Sequence, residues 1–359
     1  MNGKNESFLE EYDMRFTVDE GYLLDTFHTI VNTPSPVGYS LQMNPVLEEI
    51  AAELGLEVAY DNRSSAYIRL EGEDTSKTVL VTSHCDTLGL MVRDIAPDGT
   101  LLFRSLGGGN RASIEGESVT VYTRDGKAYT GLVAHQKHSV HSFDNSHSAP
   151  RDDDNMMVVL DECVKTRADV LALGIGHGDM SAVYPRCQIT ESGFVKSRYL
   201  DDKGGVACVF AALKYLKDNG LKPKYNTVLQ FTYMEEIGVG GTYVPEGVSD
   251  LIGIDMGVIG PYCDGNEYSV SICAKDASYV YDYAMTNRLI DYAKKAECDY
   301  AVDLYVHYGS DAAAASRAGN NVRTGLFGMG VFASHGMERT HLKGLVNTVG
   351  LLLAYVLDI

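Results

Sequence analysis

At 359 residues, 45% hydrophobic and 22% charged, the chain can bury a large core and is long enough for two domains. Thirty Lys and Arg against 49 Asp and Glu leave a formal charge of -19, which repels phosphate backbones and anionic lipid surfaces and argues against nucleic acid as a partner. No stretch approaches the roughly 20 apolar residues of a membrane helix, and no N-terminal segment joins basic residues to a long apolar run, so no membrane partner is expected and a cytoplasmic address follows.

Residues 44–54, NPVLEEIAAEL, repeat apolar positions at helical spacing, and AYIRLEG (66–72) followed by KTVLVTSH (77–84) reads as two strands. From about residue 89 to 180 this α/β rhythm gives way to short strands and turns. In VTVYTRDGKAYTGLVAH (119–135), Asp125-Gly126 sits between two β-prone runs as a hairpin turn does. The rhythm then returns. LDDKGGVACVFAALKYLKDNG (200–220) puts Val206, Val209, Leu213 and Leu216 on one helical face and ends on Gly220 as a cap. NTVLQFTYMEE (226–236) and DLIGIDMG (250–257) read as strands, NRLIDYAKKA (287–296) as helix, YAVDLYVHYG (300–309) as strand and LVNTVGLLLAYVL (345–357) as the closing helix. Seven cysteines, an odd number without CxxC spacing, lie mostly in apolar runs and read as small core residues. The expected architecture is one α/β domain formed by residues 1–88 and 181–359, its sheet doubly wound and mostly parallel, interrupted by a small β domain over 89–180.

Several apolar strands end in ionisable residues. KTVLV leads to His84 and, two residues on, Asp86; NTVLQFTYM ends in Glu235 and Glu236; DLIGI ends in Asp255. At the carboxyl ends of parallel strands such groups escape the cost of burial and can converge on one crevice. Asp201 and Asp202 precede a helix, where Asp201 could also serve as a cap beside a solvated Asp202. ASHGMERTH (333–341) adds His335 and His341, the second at a spacing that suits the start of the last helix. Imidazoles and carboxylates in this number suit a pair of borderline divalent ions, a carboxylate between two ions being common in such sites. Of two adjacent glutamates at a strand end, one can bind metal while its neighbour faces substrate as general base. Asp86, on the same face as His84, is placed to accept the proton of the non-ligating imidazole nitrogen.

HCDTLGLMV, SRYLDDKGGVA, EEIGVGG, GIDMG and SHGMERTH occur in the order found in the cocatalytic metallo-aminopeptidases of the glutamyl-aminopeptidase and TET type, which this chain resembles over nearly its whole length. The resemblance implies that the insertion is a small β-barrel or PDZ-like dimerisation domain, with DVLALGIGHGD and PRCQITESGFVKSR marking the passage back to the catalytic domain. It implies that His84, Asp201 and Asp255 hold one metal, and Asp201, Glu236 and His335 the other, with Asp201 as bridge. Glu235 is then the general base, Asp86 the partner of His84, and the His-x-x-Glu pattern selects His335 with Glu338. YGSDAAAA (308–315) resembles a loop lining the substrate cleft, which makes Ser310 and Asp311 substrate-site candidates. The implied cofactors are two divalent ions per subunit, zinc or cobalt or else manganese. The implied reaction is hydrolysis of N-terminal residues from peptides with a free N-terminus by a water between two ions, in a homo-oligomer that grows from dimers to a dodecamer through the insertion.

Other features read as structural. GGGN (107–110) lacks the Lys-Ser/Thr of a phosphate loop; His135, His138, His141 and His147 sit among Ser, Asn and Asp as in an exposed insertion; RDDDN (151–155) is a charge run expected on a solvated face. Two competing functions fit part of the pattern. One is a deacylase or deblocking amidohydrolase on the same site, and the other a non-catalytic assembly protein that retains the fold.

Overall fold

A computed structural model describes residues 14–359. Four apolar segments, Asp74–His84, Tyr225–Thr232, Val248–Ile254 and Arg323–Val331, are buried on both faces over most of their length, as strands covered on both sides must be. They form the middle of a nine-stranded sheet. Its order is Ala59–Tyr60, Ala66–Leu70, Tyr225–Thr232, Asp74–His84, Val248–Ile254, Arg323–Val331, Val270–Lys275 and Tyr300–Leu304, with Gly257–Val258 paired to Arg323–Val331. The central pairs are parallel, and register aligns their ends: Thr232 lies opposite His84, Gly253 opposite Thr82, and Ile254 opposite Phe327. The sheet is therefore mixed but mostly parallel, and Asp86, Glu235 and Asp255 all follow strand ends on one side of it.

Helices Glu20–Val31, Met43–Glu53, Leu200–Asp218, Tyr283–Lys295 and Leu342–Leu357 share one apolar core with the sheet. The second face packs Tyr67, Leu80, Val228, Leu251 and Leu326 beneath the short helix Asp311–Arg317. Phe210 stacks on Phe231 with ring centroids 5.3 Å apart, fixing the long helix to the strand that leads to the glutamates.

Between Leu88 and Tyr184 the chain builds a closed six-stranded antiparallel barrel in the order Gly89–Ile95, Leu101–Leu106, Met156–Leu160, Ala128–His135, Ser118–Tyr122 and Met180–Val183. It has its own core, including Leu90, Phe103, Val121, Val133 and Val158. The Asp125-Gly126 turn closes one hairpin, with Thr123 N–H donating to the Lys127 carbonyl at 2.9 Å. The last barrel strand ends at Val183, so a boundary at 180 falls on that strand's first residue. Among the described residues no helix is long and apolar enough to cross a membrane.

Candidate active site

The aligned strand ends deliver His84 and Asp86 from one strand, a short 3-10 turn carrying Glu235 and Glu236 from the next, and Asp255 from the third. Asp255 can approach the neighbouring strand because residue 328 is glycine, where a Cβ would lie 2.0 Å from the Asp255 carbonyl oxygen. Asp201 enters from the first turn of the helix Leu200–Asp218; its peptide bond to Asp202 is cis. His335 comes from the turn between Arg323–Val331 and Glu338–His341, held in a left-handed backbone at φ 60°. Its N–H donates to Glu338 Oε1 at 2.9 Å, and the Asp201 N–H donates to Glu338 Oε2 at 3.1 Å. One buried carboxylate thus ties together the backbones of two site residues.

His84 Nε2 lies 3.1 Å from Asp201 Oδ1 and 3.8 Å from Glu235 Oε2. His335 Nε2 lies 3.2 Å from Asp201 Oδ2 and 3.4 Å from Glu236 Oε2. Each Asp201 oxygen therefore faces a different imidazole. Ligand atoms of His84, Asp201 and Asp255 all lie within 4.8 Å of one another, and so do those of Asp201, Glu236 and His335. The site opens on a cleft of about 500 Å³ lined by Asp201, Glu235, Glu236, Asp255, Ser310 and His335, among others.

Burial pushes the proton affinities of Glu235 and Glu236 well above the ordinary carboxylate range, with Asp255 adding to the first and Asp201 to the second. Burial and the Asp201 charge raise Asp255 to about 8, and the same two causes raise Glu338 to about 8. Asp201 runs the other way: burial opposes its charge, yet hydrogen bonds from His335 and His84 hold it below the ordinary range. Its imidazole partners answer in kind. Against burial, Asp201 raises His335 to about 10, and Asp201 with Asp86 raises His84 well above its usual value. Positive charge is thus strongly favoured at both imidazole positions. Asp255 Oδ1 is buried without a hydrogen-bond partner, a costly arrangement that a cation relieves. Nitrogen and oxygen donors in two sets sharing Asp201 fit a pair of divalent ions.

The structure brings together His84, Asp86, Asp201, Glu235, Glu236, Asp255 and His335, but three contacts differ from expectation. The His84 Nδ1 bond goes to the Asp86 main-chain carbonyl at 3.0 Å, while the carboxylate oxygen is 3.5 Å away. That carboxylate instead accepts the N–H groups of Glu235 at 3.1 Å and Glu236 at 3.2 Å, so Asp86 orients the glutamate turn as well as the imidazole. Ser310 lines the cleft, but Asp311 does not: its carboxylate turns behind the wall to accept Thr232 Oγ1 and the Gly241 N–H, each at 2.5 Å. Asp202 is fully buried rather than solvated. It accepts Ser83 Oγ at 2.5 Å, and its other oxygen packs where only a glycine fits in the next turn, a Cβ at Gly205 lying 2.2 Å from it. His341 caps the last helix, its Nδ1 accepting the Lys343 N–H at 3.0 Å, as its spacing suggested.

A family model described as M42 glutamyl aminopeptidase matches residues 64–351. YhfE of Bacillus subtilis strain 168 is 40% identical over 334 residues, spanning 93% of this chain and 96% of the relative. The glutamyl aminopeptidase of Lactococcus lactis subsp. cremoris is 23% identical over 326 residues, 86% of this chain and 88% of that one. In fold, the chain is similar to the TET1 peptidase of Pyrococcus horikoshii, which can assemble into a tetrahedron or a large octahedral shell: TM-score 0.82, 21% identity, 94% of this chain and 100% of that chain covered. With the motifs in family order and the match spanning most of both domains, the chain belongs to the M42 glutamyl aminopeptidase family.

Proposed function

We propose that this protein is a metal-dependent aminopeptidase that releases the first residue of peptides with a free N-terminus. The observation that carries the reading is Asp201, whose two oxygens address two separate ligand sets: His84 and Asp255 on one side, Glu236 and His335 on the other. Two divalent ions held there, zinc, cobalt or manganese, would acidify a water and polarise the scissile carbonyl. Glu235 is the proton carrier. It lines the cleft and contacts His84, and burial gives its carboxyl the high proton affinity that suits taking a proton from the attacking water and passing it to the leaving amine. Asp86 keeps that carboxyl in place by holding the Glu235 and Glu236 amides. Ser310, at the cleft wall, is a substrate contact, held by a 2.7 Å bond between its Oγ and Tyr281 Oη.

A free α-amine, in its neutral form, has an unshared electron pair to offer an ion held at the Asp201 end of the cleft, whereas the pair of an acylated nitrogen is delocalised into its carbonyl. The reading extends to assembly through the barrel and to a cytoplasmic address, in keeping with family membership and composition. The test is a panel of aminoacyl chromogenic substrates, each offered unblocked and N-acetylated to the metal-loaded protein. Release of the chromophore from unblocked substrates alone is expected; release of acetate from the acetylated forms would turn the assignment to a deacylase, and neither product to a non-catalytic role.

A further inference from the structure

The glycine run 107–110 belongs to the barrel, between the strand Leu101–Leu106 and the 3-10 turn Arg111–Ser113, yet it reaches the ligand set of Asp201, Glu236 and His335. Gly108 lines the cleft, and its carbonyl oxygen lies 3.3 Å from His335 Nδ1. The Asn110 N–H donates to the His335 carbonyl at 3.1 Å. Gly107 has φ +80°, and a Cβ there would lie 2.5 Å from Leu88 Cδ2 and 3.4 Å from Glu236 Cβ. Glycine is what lets the loop come this close. Because a carbonyl can only accept, His335 Nδ1 carries the proton of that contact. Nε2 is left to face Asp201 and Glu236, as a ligating nitrogen must.

The loop is held from behind. Arg111 Nη1 donates to the Gly109 carbonyl at 2.5 Å and Nε to Asp153 Oδ1 at 3.0 Å. Asp153 in turn accepts the Ser105 N–H at 2.9 Å and Ser105 Oγ at 2.7 Å. The charge run 151–155 thus contains one residue that is an anchor, with only 15% of its side chain exposed.

We infer that Arg111 and Asp153 are positioning residues for His335: through Gly109 they hold the loop whose Gly108 carbonyl aims the imidazole at one of the two divalent ions. The inserted barrel thereby controls occupancy of that one position. The inference rests on the two-ion reading above.

The test is calorimetric titration of chelator-stripped protein with manganese, on wild type, Arg111→Met, Asp153→Asn and His335→Ala, with melting temperatures measured alongside. Arg93→Met, which loses only a barrel ion pair to Asp154, serves as control. Wild type and control should take two ions. Arg111→Met and Asp153→Asn should keep one affinity and lose about 10- to 100-fold in the other, the same one that His335→Ala removes. Unchanged affinities in both positioning variants, or equal weakening at both positions with a lowered melting temperature, would overturn the inference. Fewer than two ions in wild type would instead overturn the two-ion reading itself.

Discussion

Glu235 and Glu236 are adjacent, and both amides are held by one carboxylate, yet their side chains meet different partners: Glu235 contacts His84, Glu236 contacts His335. Their substitutions should therefore separate. Glu235→Gln keeps size and hydrogen bonding but cannot carry a proton, so kcat should fall by about 10² to 10⁴ with both ions retained. Glu236→Gln should lose metal, with partial rescue by added ion, and Asp201→Ala should lose both ions because its two oxygens serve both sets. Metal analysis beside kinetics checks all three; normal turnover by Glu235→Gln would reverse the roles. The same residues set a pH dependence in the stripped protein. Asp255 and Glu338, raised to about 8, and Asp311, raised to about 6, still bind protons in the folded chain where unfolded carboxyls, titrating near ~4, have lost them. Stability from these groups is complete below about pH 4 and lost as pH climbs through 6 to 8. His335, raised to about 10, continues the loss in the same sense above its unfolded value. The melting temperature of chelated protein should fall from pH 5 to pH 8, and added manganese should raise it more at pH 8 than at pH 5; a flat or rising profile without metal would contradict this. At this scale most residues of the candidate site stood out because they close an apolar strand or open a helix, whereas His335, in a turn beyond Val331, stood out only through the His-x-x-Glu motif. What they bond to was not: Asp86 meets amides 149 and 150 residues away, and Asp202 meets Ser83 119 residues away. Local pattern carries no trace of such pairings.

The elements that position the site follow one physical rule, that a buried parallel sheet exposes its ionisable residues only beyond the strand ends. The strands Asp74–His84, Tyr225–Thr232 and Val248–Ile254 were readable because their apolar runs are continuous. Arg323–Val331 was not, although it sits between two of the sheet's strands, because Gly325, Gly328 and Gly330 interrupt its sequence pattern while admitting close neighbours in the fold. The helix Asp311–Arg317 was taken for a loop for a related reason: its alanines pack tightly without giving an amphipathic signal. The long helix behind Asp201 is fixed to the sheet by the Phe210–Phe231 stack, with both rings buried. Phe210→Ala should cost about 3–5 kcal/mol of stability in denaturant unfolding, as aromatic truncations in packed cores do. A loss well under about 1 kcal/mol would mean that the helix is held elsewhere.

Across the whole molecule, the barrel has a core separate from that of the sheet, yet its Gly107–Asn110 loop touches His335, a candidate metal ligand. The change of texture between about 89 and 180 made the insertion legible. The contact was not, since Gly108 and His335 are 227 residues apart and GGGN looked like an ordinary turn. If the barrel pairs the chains, as proposed, excising residues 89–183 should leave a catalytic domain of lower mass by light scattering, and an unchanged oligomer would place the interface elsewhere. The central claim is that two ions sharing Asp201 make this chain an aminopeptidase. It is met most directly by titrating stripped protein with cobalt while following release from an unblocked aminoacyl p-nitroanilide. Activity should be absent without metal and level off at two ions per chain; full hydrolysis by demonstrably metal-free protein would contradict the account.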